Sequence, residues 1–164
     1  MENEIQIKTG ELIVERDDKI IRTGSIGSCI VICIYDKEAK IGGLAHSMLP
    51  TRRDSQKVEL GSVDFSPHNT SGKYADESVD NLIYGLKKIG AKIENMEAKL
   101  VGGASMFRKL MGDKNGIGFQ NIESARNQLK KNGIRIDNED TGGNSGKAIT
   151  FNLKNGLVDI ITTL

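Results

Sequence analysis

Apolar residues recur along this chain in several rhythms, and each rhythm predicts a different element. Ile5-Gln-Ile7 alternates, and Leu12-Ile-Val14 continues that character, as short strands do. Asp17-Asp18 marks a turn. Ile30-Val-Ile-Cys-Ile-Tyr35 is an unbroken, largely β-branched run, the pattern of a strand covered on both faces. After the polar break Asp36–Lys40 the apolar run resumes as Ile41-Gly-Gly-Leu-Ala-His46. Two strands joined so closely form an antiparallel hairpin. Val79, Leu82, Ile83, Leu86 and Ile89 recur at helical spacing, with Asp76 as the expected N-cap and Gly90 as the stop. A second helix is expected over about Asn121–Asn132, with Ile122, Ala125 and Leu129 inward and Gly133 beyond its end. Ala98–Val101, Ile134–Asp137, Ala148–Leu153 and Leu157–Ile161 complete the strands. Ser105–Leu110 reads as a helical turn, and Asn155-Gly156 as a two-residue hairpin turn.

Strands and helices are mixed without strict strand–helix–strand alternation, which argues against a doubly wound parallel sheet. Two packed sheets with helices outside absorb this order. The expectation is an α+β fold in a single domain over residues 1–164, with no linker or repeat dividing it.

Charge and composition narrow the function. The 23 basic and 22 acidic residues leave a net charge of +1, which gives no general pull toward nucleic acid or a membrane surface. The chain has no tryptophan and few other aromatics, so base-stacking platforms are not expected. No segment approaches the ~18 apolar residues that span a bilayer. The acidic start, Met-Glu-Asn-Glu, lacks the basic and apolar regions of a signal peptide, so a cytoplasmic location is expected. Thiols stay reduced there. Cys29 and Cys33, four residues apart on extended chain, lie roughly 13 Å from each other, too far for a disulfide. Cys33 therefore reads as a small core residue. With Cys29, Cys33, His46 and His68 as the only thiols and imidazoles, and no paired ligand spacing, no metal site is expected. Gly142-Gly-Asn-Ser-Gly-Lys147 is one residue short of a phosphate loop and lacks its hydroxyl, so it reads as a tight turn. Gly116-Ile-Gly118 lacks the third glycine of a dinucleotide fingerprint.

The chemistry gathers around Thr23-Gly-Ser-Ile-Gly-Ser-Cys29, a glycine-rich turn holding a thiol at the mouth of the buried strand. Exposed amides at Gly27 and Ser28 can face a developing negative charge. If the hairpin pairs Tyr35 with Lys40, Cys29 lies directly opposite His46, with Cβ atoms about 4.5–5.5 Å apart. A one-residue slip would separate them, and a bulge at Gly42-Gly43 could shift the register. A lone cysteine is by default packing, and a lone histidine a satisfied core residue. The glycine turn and the facing imidazole together raise both above that default.

These residues resemble the CheD family of chemoreceptor glutamine deamidases. The resemblance rests on Thr23, Gly27-Ser28-Cys29 and His46-Ser-Met-Leu-Pro50. It continues through Lys73-Tyr-Ala-Asp76, Gly102-Gly-Ala-Ser-Met-Phe107, Ile117-Gly-Phe-Gln-Asn-Ile122 and Asp140-Thr-Gly-Gly-Asn144. Two departures are Lys147, where arginine is expected, and the longer polar segment after Pro50.

The resemblance implies a layered α/β/β/α fold with mixed sheets, like that of cytotoxic necrotizing factor-type toxins. It implies hydrolysis of receptor glutamine side chains to glutamate with release of ammonia, and no cofactor. Cys29 would be the nucleophile, His46 the base, and Thr23 the group that orients the imidazole through its hydroxyl or its carbonyl. The implied partners are methyl-accepting chemoreceptors as substrate and the CheC phosphatase. Phe107 is either core or partner-facing, and a binding module that regulates CheC is the alternative to an enzyme. A cysteine protease is a third class, disfavoured because nothing suggests a groove for extended peptide. The segment Thr51–Gly72 is expected to border the site and help seat the target. The rate is expected to vary between pH 5 and 9 as the thiol–imidazole pair titrates.

Overall fold

The computed structural model describes residues 3–53, 63–105 and 116–163. The first strands are short: β1 (Glu4–Gln6), β2 (Leu12–Arg16) and β3 (Ile20–Ile26). The expected hairpin follows as β4 (Ile30–Asp36) and β5 (Ile41–Ser47). Helix α1 (Ala75–Lys88), a 3₁₀ turn (Ile93–Asn95) and β6 (Met96–Gly102) come next. Helix α2 (Ile117–Lys131) then precedes β7 (Arg135–Thr141), β8 (Gly146–Asn152) and β9 (Val158–Thr163).

The strands form two mixed sheets, a four-stranded one in the order β1-β3-β8-β9 and a five-stranded one in the order β2-β5-β4-β6-β7. The β1–β3 and β6–β7 pairs are parallel and the others antiparallel. β4 lies in the middle of its sheet, and every residue but Tyr35 is buried, so its continuous apolar run is covered on both sides. Ile30, Ile32 and Ile34 pack under the helices with Leu82, Leu86 and Leu129. Val31 and Cys33 face the other sheet with Ile21, Val101 and Phe151. Cys33 is thus a core residue, and burial pushes its thiol pKa far up.

Both described helices lie against the five-stranded sheet, α1 on β2, β4 and β5 and α2 on β4, β6 and β7. The described residues therefore make three layers, helix–sheet–sheet, and they place no helix on the outer face of the four-stranded sheet. The helical turn expected at 105–110 lies outside them from residue 106 onward, as does Phe107.

Several boundaries differ from the sequence reading for physical reasons. Helix α1 starts one residue before Asp76, with Tyr74 at the N-cap, and Asp76 sits in its first turn binding the amide of Glu77. Helix α2 starts four residues early because its first turn carries Ile117 and Phe119 outward, hiding the inward stripe. The expected two-residue turn at Asn155-Gly156 is a four-residue loop, closed by Asn152 N–H on Leu157 O and by Gly156 N–H on Asn152 O. The polar segment after Pro50, as far as it is described, covers the edge of the five-stranded sheet. Asn69 pairs through its side chain with the N–H and C=O of Leu12, and Phe65 stacks on Tyr84.

Candidate active site

The hairpin that carries the site has its register set at the far end. Asp36 is fully buried, and its carboxylate accepts N–H groups from Glu38, Ala39 and Lys92 at 2.9–3.0 Å. That bonding closes the loop over residues 37–40, with Lys40 in the left-handed region at φ +56°. The ladder then runs without a bulge from Asp36↔Ile41 to Ile30↔Ser47. Val31, and not Cys29, is the residue facing His46. Cys29 falls two positions beyond Val31, past the end of the ladder and diagonal to His46, a relation in which strand partners lie about 7–8 Å apart and long side chains still meet. His46, paired with Val31, looks toward the second sheet, and Cys29 stands in the turn one residue before β4.

His46 is 0 % exposed and reaches across the layer between the sheets. Its Nδ1 lies 2.7 Å from Oγ1 of Thr23, a buried residue of β3 in the opposite sheet. The Thr23 hydroxyl donates its proton to the carbonyl of Ile7 at 3.0 Å. An oxygen already committed as donor can only accept from the ring, so Nδ1 carries the hydrogen and Nε2 the lone pair. That Nε2 atom is buried without a hydrogen-bond partner among the described residues, Cys29 Sγ included. Burial lowers the His46 pKa from 6.5 to about 4, so the imidazole is neutral at ordinary pH. Burial also raises the half-buried Cys29 thiol, opposed by a hydrogen bond from its own amide. The pair therefore rests as neutral thiol and neutral imidazole. The acid limb of any rate it governs moves to about pH 4, below the range expected from residue type alone.

The glycine turn before Cys29 is shorter than the sequence suggests. Thr23 and Gly24 belong to β3, which bulges between Thr23 and Ile26 with Ser25 at φ +55°. Only residues 27–29 cross from one sheet to the other. Each of their carbonyls is held: Gly27 O by Ala104 N–H at 2.9 Å, Ser28 O by the Asn121 amide at 2.9 Å and Cys29 O by Gly103 N–H at 2.7 Å. The N–H groups of Gly27, Ser28 and Cys29 donate to no other residue among those described. Among the described residues, a Cβ built on Gly27 would meet nothing within 4 Å.

Two further glycine turns stand behind this one. Gly102 takes φ +117°, and a Cβ on it would lie 2.3 Å from Cys29 O. Gly142 N–H binds Gly102 O, and Ser105 N–H binds Gly143 O, both at 2.9 Å. The Gly142–Gly146 stretch is thus a turn braced against the site, and Lys147 beside it is buried against the carboxylate and carbonyl of Asp140. Among the described residues no group of three or more His, Cys, Asp or Glu is placed to hold a metal. Phe107 has no place in this description.

The comparison with known proteins fits this arrangement. A family model described as "CheD chemotactic sensory transduction" matches residues 48–162. The chain belongs to the CheD family. Among CheD relatives, "Chemoreceptor glutamine deamidase CheD" of Thermotoga maritima is 40% identical over 150 residues, covering 92% of this chain and 86% of the relative. "Probable chemoreceptor glutamine deamidase CheD" of Methanococcus vannielii is 40% identical over 156 residues, covering 95% and 93%. The Pyrococcus abyssi relative of the same name is 37% identical over 158 residues, covering 96% and 91%. Cys29 and His46 precede the stretch matched by the CheD model, but the relatives' alignments cover nearly the whole chain.

Sequence reasoning missed one buried polar residue here. Asn121 appeared only as the first residue of the expected helix and inside a motif, next to the inward Ile122. Its signal was present, since an asparagine one helical turn before Ala125 falls on the apolar face.

Proposed function

We propose that this chain is a protein-glutamine deamidase acting on methyl-accepting chemoreceptors. The observation that carries the reading is the Thr23–His46 hydrogen bond. It fixes a neutral imidazole with its lone pair on Nε2, on the strand paired with the one that Cys29 leads into. Family membership and the relatives' names supply the substrate class.

In the reaction, His46 Nε2 takes the Cys29 proton as Sγ attacks the carboxamide carbon of a receptor glutamine. The C=O pair moves onto oxygen, and the N–H groups of Gly27, Ser28 and Cys29, which donate to no other residue among those described, receive the oxyanion. One such donor is worth about 3–4 kcal/mol of barrier. As the C–N bond breaks, the imidazolium returns its proton to the leaving nitrogen, and ammonia departs from a thioester. His46 then takes a proton from water as its oxygen attacks, and the proton returns to sulfur with release of glutamate. Thr23 holds the ring throughout by accepting Nδ1–H, while its own hydroxyl keeps donating to the Ile7 carbonyl. Exposed Met48, two residues beyond His46, and exposed Ile117, one turn before Asn121, give the rim an apolar surface suited to a protein substrate. The fold reading that goes with this function is the cytotoxic necrotizing factor-like cysteine hydrolase fold, supported by two packed sheets with the thiol at their crossing.

The test is ammonia release from a glutamine-bearing receptor fragment by wild type and Cys29→Ala. Release by wild type alone is expected. Equal release by both refutes the reading, and retained binding of the CheC phosphatase without release would make the chain a regulator instead.

A further inference from the structure

We propose that Asn121 is a positioning residue for the reaction, its side-chain amide tying the nucleophile turn to the histidine strand. The inference rests on the Cys29–His46 reading. Asn121 is 0 % exposed, and its Nδ2 donates to Ser28 O at 2.9 Å and to Met48 O at 3.1 Å. Ser28 directly precedes the thiol, and Met48 lies two residues past the imidazole. One amide group thus spans the two segments whose spacing decides whether sulfur meets ring. Both partners are carbonyls, so only the NH₂ end of the side chain fits them, and the amide orientation is determined.

Two more observations set Asn121 apart from ordinary packing. Its Oδ1 is buried without a partner among the described residues, a loss that an apolar side chain would avoid. A residue kept there only to fill space would not be an amide half satisfied. The helix is also brought unusually close. A Cβ on Gly118, one turn earlier, would lie 2.4 Å from Ala104 O and 2.6 Å from Gly103 O. Those are the residues whose N–H groups hold Gly27 O and Cys29 O. The next turn of α2 adds Ser124, whose hydroxyl donates to Pro50 O at 2.6 Å. Helix α2 therefore grips both segments from one face, and Asn121 hydrogen-bonds to both.

The experiment compares Asn121→Ala and Asn121→Asp with wild type, Cys29→Ala and His46→Ala. It reads kcat and KM for ammonia release, the pH profile of Cys29 alkylation by iodoacetamide, and the folded fraction. The aspartate variant keeps the shape, and its protonated form has one donor, enough for one carbonyl but not both. Expected for both variants is a kcat fall of about 10–100-fold with KM within about twofold. Their alkylation profile should move to that of His46→Ala, an uncoupled thiol. Either variant folding with wild-type kcat and alkylation would overturn the proposal. So would activity lost only in proportion to folded protein. Wild-type release that Cys29→Ala matches would instead sink the underlying reading and this one with it.

Discussion

Replacing Thr23 by valine removes one hydroxyl and almost no volume, so it isolates the hydrogen bond that fixes the imidazole. Two buried groups lose their partner, the Nδ1–H of His46 and the carbonyl of Ile7. An unsatisfied buried group costs about 1–3 kcal/mol. Nothing then holds the hydrogen on Nδ1, and the ring can carry it on Nε2, which is equally buried and without a partner among the described residues. The low end for the two groups together is about 2 kcal/mol. For a domain of this length that lowers Tm by about 4–8 °C. The chemical effect is larger than the thermal one. With hydrogen on Nε2 the base has no lone pair toward sulfur, and general-base catalysis supplies about 10²–10⁴-fold of rate. Thr23→Val should therefore lose kcat on that scale while remaining folded at 25 °C, and Thr23→Ser should recover most of it. Ring-nitrogen chemical shifts report the tautomer directly. Wild-type kcat in the valine variant, or an unchanged tautomer, would refute the argument that Thr23 dictates where the lone pair sits.

Other outcomes follow from the same geometry. His46 titrates near 6.5 when unfolded and about 4 when folded, so the unfolded chain binds its proton first as pH falls. The associated stability is whole above pH 6.5 and is lost toward pH 4, about 3 kcal/mol in all. Denaturant unfolding of wild type and His46→Gln at pH 7 and 4.5 should show their difference shrinking at the lower pH, and a constant difference would contradict it. Gly102→Ala meets both a left-handed φ and the Cys29 carbonyl, so it should cost about 3 kcal/mol or more and disturb Cys29 alkylation. Gly133→Ala, at φ +72° with nothing within 4 Å, should cost about 1 kcal/mol and leave the thiol alone. Equal losses in the two alanine variants, by Tm and by thiol titration, would show that the Gly102 contact is unimportant.

Much of the site was legible because it follows local rules. The apolar run of β4, the stripe of α1 and the breaks at Gly90 and Gly133 each reflect contacts within a few residues. The glycine turn beside a thiol, and a histidine on the adjoining strand, needed only the hairpin. The register was not legible, because Asp36 closes the loop with an N–H from Lys92, far along the chain. The role of Asn121 was not legible either, since its partners at Ser28 and Met48 are more than seventy positions away.

Taken alone, then, the order of residues determined which segments extend, which coil, and which atoms have the chemistry of a nucleophile and a base. Only the packed structure decided that three distant glycine turns stack on one another. The packing also places Thr23 of one sheet against His46 of the other, and leaves the imidazole neutral with its Nε2 buried and without a partner among the described residues. The physical reason is range. Propensity and periodicity act over one or two turns of chain, whereas burial and tautomer depend on what the opposite layer supplies.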